Sequence, residues 1–256
     1  MLKLVWPLLV TACAALAQGA SDPPPILELV QKPGYAAAAV KPYADARAAV
    51  NVVGLTAVTG IPETWFLEMH PNYTSLETLD QALNTAGAPR TAGAVDGGQD
   101  DILAPARTLI AVYQPQWSYR PEQATRQFAM ARYVQVTVYR LRNASEATFD
   151  KIVNLRRGSM ESVNLDRPDI AYQVVSGVAA GTYIFLSPMA TLRGLDEGVP
   201  DTPAYAQRLA DERAKVLAST SPADISREHL LFRVEPRLSY VSEEFAAADR
   251  EFWRGR

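Results

Sequence analysis

Apolar and polar residues alternate with period two along several short stretches of the chain, and with a period near 3.6 between them. "ILELVQK" (26–32) and "YVQVTVYRLR" (133–142) alternate. In the second, Val134, Val136 and Val138 share a face, so each run predicts a strand with unlike faces. Phe149, Ile152, Val153 and Met160 then recur at helical spacing with charges between them. After the first run, "YAAAAVKPYADARAAV" (35–50) is rich in helix formers but interrupted by Pro42, which predicts a kink or a late start. Two more strands follow in each half, around "LTAVTG" (55–60) and "TWFLEM" (64–69), and around "YQVVSG" (172–177) and "TYIFLSPM" (182–189). Gly60 and Gly177 close the first of each pair.

A second helix is expected next. Thr74-Ser75-Leu76-Glu77 reads as a capping box, with Leu76, Leu79 and Leu83 as the buried stripe. The second half adds a helix at 201–217, with Thr202 as N-cap and Pro203 at its first position, where the first half has a loop at 86–101. The fourth strands, "TLIAVYQ" (108–114) and "LLFRVE" (230–235), both run into Pro-x-x-Ser-Tyr, at 115–119 and 236–240. With "SLETLD" (75–80) answering "TLRGLD" (191–196), the second-strand, third-strand, helix and fourth-strand blocks recur in one order at a spacing near 116–121 residues, the mark of an internal duplication.

The order βαββαβ, written twice, predicts an α+β fold of two tandem ferredoxin-like repeats, 25–120 and 130–241. Helices cover one face of such a sheet. The bare faces are satisfied by packing the two sheets face to face as a pseudo-dimeric α+β barrel with helices outside. Tyr119 and Tyr240 are then equivalent residues expected to brace the edge of the partner half. Residues 242–256 read as an amphipathic helix whose Phe245, Phe252 and Trp253 dock on the body.

This arrangement resembles the dimeric α+β barrel superfamily, which includes antibiotic-biosynthesis-type monooxygenases and NIPSNAP-like proteins. "YQVVSGVAAGTYIFLSPMATL" and "SYVSEEFAAADREFW" are similar to a group of exported bacterial proteins of unknown function. The resemblance implies the fold. It places no superfamily catalytic motif on residues of this chain.

Residues 1–17, "MLKLVWPLLVTACAALA", combine a cationic Lys3, an apolar stretch and a small-residue exit, the pattern of a secretory signal peptide. Val10-Thr11-Ala12-Cys13 offers a second reading, a lipobox with Cys13 as lipidated terminus. A periplasmic or extracellular bacterial location is expected, with no membrane span. Cys13 is the only cysteine, so the mature chain would have no disulfide, thiolate or Cys-metal chemistry. A net charge of −3 gives no basic face for nucleic acid. Composition does not fix the oligomeric state, and a monomer is compatible with a barrel closed within one chain.

The chain has two histidines, which excludes a His-rich metal centre and leaves one His with carboxylates as the remaining option; no metal is expected. His70 ends the third strand, where Phe66, Glu68 and His70 share one face and Trp65, Leu67 and Met69 the other. If the first set faces the interior, Glu68 and His70 form an acid–base pair beside an apolar cavity, within reach of Tyr73. His229 is expected at a surface corner ahead of the last strand. Tyr139 and Gln173 are polar residues in apolar strands and need either a partner or a cavity. Trp117, Tyr119, Tyr172 and Tyr183 read as core. Gly-x-Ser-x-Gly, P-loop, Gly-x-Gly-x-x-Gly and His-Glu-x-x-His patterns are absent.

Besides an assembly protein that uses a sheet edge or the tail as its interface, two functions remain open at this point. One is an exported, noncatalytic or ligand-binding barrel that holds a small apolar molecule between its sheets without a cofactor. The other is an enzyme, either a cofactor-independent monooxygenase acting on a small apolar molecule or a haem-associated oxidase, with His70 as base or axial ligand.

Overall fold

The computed structural model describes residues 22–35, 50–85, 107–142, 146–196, 210, 211, 214 and 225–255. Eight antiparallel strands among these close a barrel: β1 (Ile26–Pro33), β2 (Asn51–Ala57), β3 (Glu63–His70), β4 (Arg107–Tyr113), β5 (Tyr133–Leu141), β6 (Ile170–Ser176), β7 (Thr182–Met189) and β8 (Ile225–Val234). Around the barrel they run β1-β3-β2-β8-β5-β7-β6-β4. Each half contributes its strands in the ferredoxin-like order 4-1-3-2, and the halves meet at two seams, β2–β8 and β4–β6. The fold is therefore the α+β barrel that the duplicated pattern predicts, closed within one chain.

The helices are α1 (Tyr73–Thr85), α2 (Pro121–Phe128), α3 (Glu146–Ser162) and α4 (Arg193–Asp196). The tail carries α5 (Glu243–Ala246) and α6 (Arg250–Arg254). None of the described helices is long and apolar enough to cross a membrane. The helix expected within 35–50, the loop at 86–101, the helix at 201–217 and the leader at 1–17 lie largely or wholly outside the described residues.

Two local expectations need correction, and one helix is added. α1 begins before Thr74: the Asn72 side-chain oxygen accepts the Ser75 N–H at 2.9 Å, so Asn72 caps the helix and the Thr74 box does not form. β8 starts at Ile225 and takes in His229, which lies within the strand. α2 was unforeseen. Pro121 fits the first helical position, and the helix buries Ala124 and Phe128 in the barrel's core.

Leu29, Leu67, Leu55, Val136, Leu186 and Phe232 point inward, one strand's alternate positions after another's, and each is at most 2% exposed. The interior is filled with aliphatic and aromatic side chains. A cleft of about 130 Å³ opens at one mouth, where Trp65, Leu109 and Ile184 meet a charged rim of Glu63, Arg107, Arg140 and Glu228. Outer faces of the strands are apolar as well, and in the second half a helix packs on them. α3 seats Phe149 and Val153 against Trp117, Tyr139, Tyr183 and Phe185, with Phe149 stacked on Tyr183 at 4.3 Å.

Each Pro-x-x-Ser-Tyr segment turns through one 3-10 turn, Pro115–Trp117 or Pro236–Leu238, and then joins the other half. Tyr119 exchanges backbone hydrogen bonds with Asp169 ahead of β6, and Tyr240 does so with Val52 of β2. The tail closes over the junction. Trp253 is 1% exposed and donates its indole N–H to the Ala129 carbonyl at 2.7 Å.

Candidate functional site

Leu27, Leu29 and Leu67 belong to the interior, so alternation sends Glu28, Glu68 and His70 to the outer face of the same strands. Phe66, Glu68 and His70 therefore do share a face, but that face is the barrel's exterior. In the β1–β3 ladder Glu28 stands directly opposite Glu68, and Ile26 opposite His70. The three polar side chains are buried, Glu28 to 1% exposure and the other two to 0%. Around them on the same face lie Ile26, Val30, Val52 and Phe66, all buried. His70 Nε2 is 3.6 Å from a Glu28 oxygen and 3.9 Å from a Glu68 oxygen.

The other imidazole nitrogen is fixed by α1. Ser75 Oγ donates to the Asn72 carbonyl at 2.9 Å, and Nδ1 of His70 sits 3.1 Å from Ser75 Oγ. The serine proton is committed to Asn72, so Oγ accepts and Nδ1 carries the hydrogen. Burial by itself pulls His70 down. The Glu28 and Glu68 carboxylates beside Nε2 outweigh it, and the imidazole's pKa is raised above its ordinary value.

Tyr73, at the start of α1, is 55% exposed, and it is Ser75 that reaches His70. Tyr139 is packed in the aromatic cluster under α3, edge-on to Phe149 and Phe185. Gln173 accepts a hydrogen bond from Gln114 across the β4–β6 seam at 3.2 Å. Trp117, Tyr119, Tyr172 and Tyr183 are buried, as core residues should be. His229 is exposed on β8 and bonds to Thr137 Oγ1 at 3.0 Å; burial, and then Arg227, Arg167 and Arg156, hold its pKa down.

The duplication makes this cluster one-sided. In the β5–β7 ladder Gln135 faces Ser187 and Tyr133 faces Met189, at the places of Glu28–Glu68 and Ile26–His70. Arg167 donates to Gln135 there. Nearby, the fully buried Asp169 accepts from Arg156 at 2.5 Å and from the Tyr119 N–H at 3.2 Å. Burial pushes this carboxyl's pKa up despite Arg156. Asp169 ties α3 to the seam and is a structural group.

A second feature lies at the β2–β8 seam, again outside the barrel. A groove of about 570 Å³ runs over Thr56, Tyr133 and Arg233, cross-strand neighbours on three adjacent strands. Tyr35, Val58 and Leu192 form exposed apolar walls. Glu235 holds Arg233 through short ion-pair contacts and accepts from Thr56 Oγ1 at 3.1 Å. Arg237 stands at the rim, exposed, with no carboxylate partner among the described residues.

Sequence reasoning missed Glu28 and the groove. Glu28 did have a signal: Ile26 and Val30 flank it on its own face while Leu27 and Leu29 fill the other, so a strand apolar on both sides must bury its one carboxylate. The groove had none, since its residues come from five separate segments.

No protein-family model and no curated protein matches the chain. Among solved structures, it is similar to an anthrone oxidase-like protein, at 8% identity and a TM-score of 0.47 over 84% of this chain and 93% of the other. It is also similar to a protein assigned as a monooxygenase from Lactobacillus acidophilus (10%, 0.44, 82% and 93%). A third is a mutant chlorite dismutase from Candidatus Nitrospira defluvii, in complex with cyanide (8%, 0.45, 87% and 94%). At such identities the likeness is one of barrel architecture, and no residue role passes from these proteins to this chain.

Proposed function

We propose that the protein binds a small, partly apolar organic anion, of the aromatic carboxylate class, on the outside of the barrel where its halves meet. One observation carries this reading: the 570 Å³ groove sets the exposed apolar walls of Tyr35, Val58 and Leu192 against the Arg237 guanidinium. Its volume falls in the usual range for small-molecule sites, roughly 300–1,000 Å³. A flat apolar body with one negative end answers both the walls and the guanidinium. Arg233, neutralised by Glu235, shapes the floor. Among the described residues the inward-facing Leu29, Leu67, Leu55, Val136, Leu186 and Phe232 are buried together in one cluster, which favours the outer seam over the space between the sheets.

An oxygenase with His70 as base needs substrate at a nitrogen that is 0% exposed. The imidazole likewise turns no open face toward a porphyrin, since each nitrogen already looks onto side-chain oxygens. The test is a thermal-shift and native-mass-spectrometry panel of benzoate-type carboxylates against their neutral amides. Retention of the acids, weakened tenfold or more by Arg237→Ala, supports the groove. Binding of amides and acids alike, or binding indifferent to Arg237, counts against it. Oxygen uptake or a haem absorption band that His70→Ala abolishes would favour the enzyme instead.

Export is proposed on residues 1–17 alone. N-terminal sequencing that finds Gln18 first, or a lipidated Cys13, supports it; an intact Met1 on the accumulated protein refutes it.

A further inference from the structure

We propose that Glu28, Glu68 and His70 form a binding site for one divalent transition-metal ion of the zinc class. The inference is independent of the groove and rests on the tautomer of His70. Because Ser75 spends its only proton on the Asn72 carbonyl, Nδ1 holds the imidazole hydrogen and Nε2 of the neutral ring presents a lone pair. That lone pair is fully buried and has no hydrogen-bond partner. It points at carboxylate oxygens 3.6 and 3.9 Å away, and the three donor atoms lie within 4.8 Å of one another.

Three electron-pair donors converging on one point is the geometry of ligands about a cation. Both carboxylates hold further interactions of their own, which serve to orient them. An ion about 2.1 Å from each donor would draw the three to roughly 3–3.5 Å of one another, a contraction that side-chain torsions supply. One imidazole nitrogen with two carboxylate oxygens suits zinc ahead of manganese, and suits magnesium or calcium poorly. Ser75 is the positioning residue, holding the ring through the nitrogen that does not bind. The site lies at the β3–α1 corner, where Pro71, Asn72 and Tyr73 are exposed and give the ion a short way in.

The same contacts have one other explanation, a proton on Nε2 that makes an imidazolium between two carboxylates. Titration of the chelator-stripped full chain with Zn²⁺, followed by calorimetry and by ¹⁵N resonances of the imidazole, separates the two. The expected result is one ion per chain, an Nε2 resonance that is unprotonated without the ion and shifts on binding it, and little response to Mg²⁺. Glu68→Gln, which keeps the shape of the side chain, should weaken binding at least tenfold, and Ser75→Ala about 10–100-fold. An Nε2-protonated resonance that Zn²⁺ leaves unchanged overturns the proposal. Binding that survives Glu68→Gln in a folded variant also overturns it, since the ion then sits elsewhere.

Discussion

Ser239 Oγ accepts the backbone N–H of Gly54 at 3.0 Å, across 185 residues of chain. Its duplicate does the same in the other direction: Ser118 Oγ accepts the Ala171 N–H at 2.9 Å. Each hydroxyl also donates back to the carbonyl four residues earlier, Glu235 or Gln114. Each half thus reaches over a seam and satisfies a buried amide in the other. This is what the repeated Pro-x-x-Ser-Tyr does: proline starts the turn, serine caps a foreign strand, and tyrosine pairs with the chain beside it.

Ser118→Ala and Ser239→Ala should therefore each cost about 1–3 kcal/mol, the penalty for a buried amide left without an acceptor. The sites are far apart and share no partner, so the double variant should show the sum. Urea unfolding measures it as a drop in midpoint at constant slope. A double variant no worse than either single one would mean that the two clasps are not independent.

Gly54 permits one of these clasps. A Cβ there would stand 2.4 Å from the Leu238 Cβ and 2.9 Å from the Leu238 carbonyl carbon and oxygen, so Gly54→Ala forces backbone apart. The expected cost is about 3 kcal/mol, at the upper end for overpacking. Cleavage by protease near residues 234–242, faster than in the parent, would localise the damage to the seam. Unchanged stability would show that the turn at Pro236 shifts freely.

The tail adds a pH dependence. Arg132 pairs with Asp249 and lies 3.7 Å over the Phe252 ring. The hydrogen bond from Arg132 holds the Asp249 carboxyl below its ordinary value of 3.8. A depressed folded-state pKa means stability that is complete above the unfolded value and is lost as pH falls through the folded one. Trp253, docked beside this pair, reports it by fluorescence. The stability gap between the parent and Arg132→Gln should be full at about pH 6 and shrink steadily below about pH 4. A gap that does not vary with pH would leave Arg132 a packing role alone.

How much of this was legible beforehand depends on the type of signal. The barrel followed from the duplication, because strands at β1 and β5 alternate cleanly and both halves end in one pentamer. Which face of β3 lies inside could not be read, since Phe66 on the outer face is as apolar and as buried as Leu67 on the inner one. His70 and Glu68 were correctly placed together on one face. Glu28 joined them through the β1–β3 register, which a single strand's sequence does not express. Asn72 caps α1 although Thr74 and Glu77 carry a capping-box pattern two residues further on, and the sequence alone does not choose between the two. The groove depends on loops and strand ends from both halves, and only closure of the barrel brings Tyr35 near Arg237.

A ¹H–¹⁵N titration of the labelled protein with benzoate addresses most directly where ligand binds. Amide shifts should gather at Thr56, Ala57, Val58, Arg233 and Arg237, saturate, and vanish in Arg237→Ala. Shifts centred instead on Leu29, Leu67 and Val136 inside the barrel, or on Glu68 and His70, would contradict a site at the outer seam.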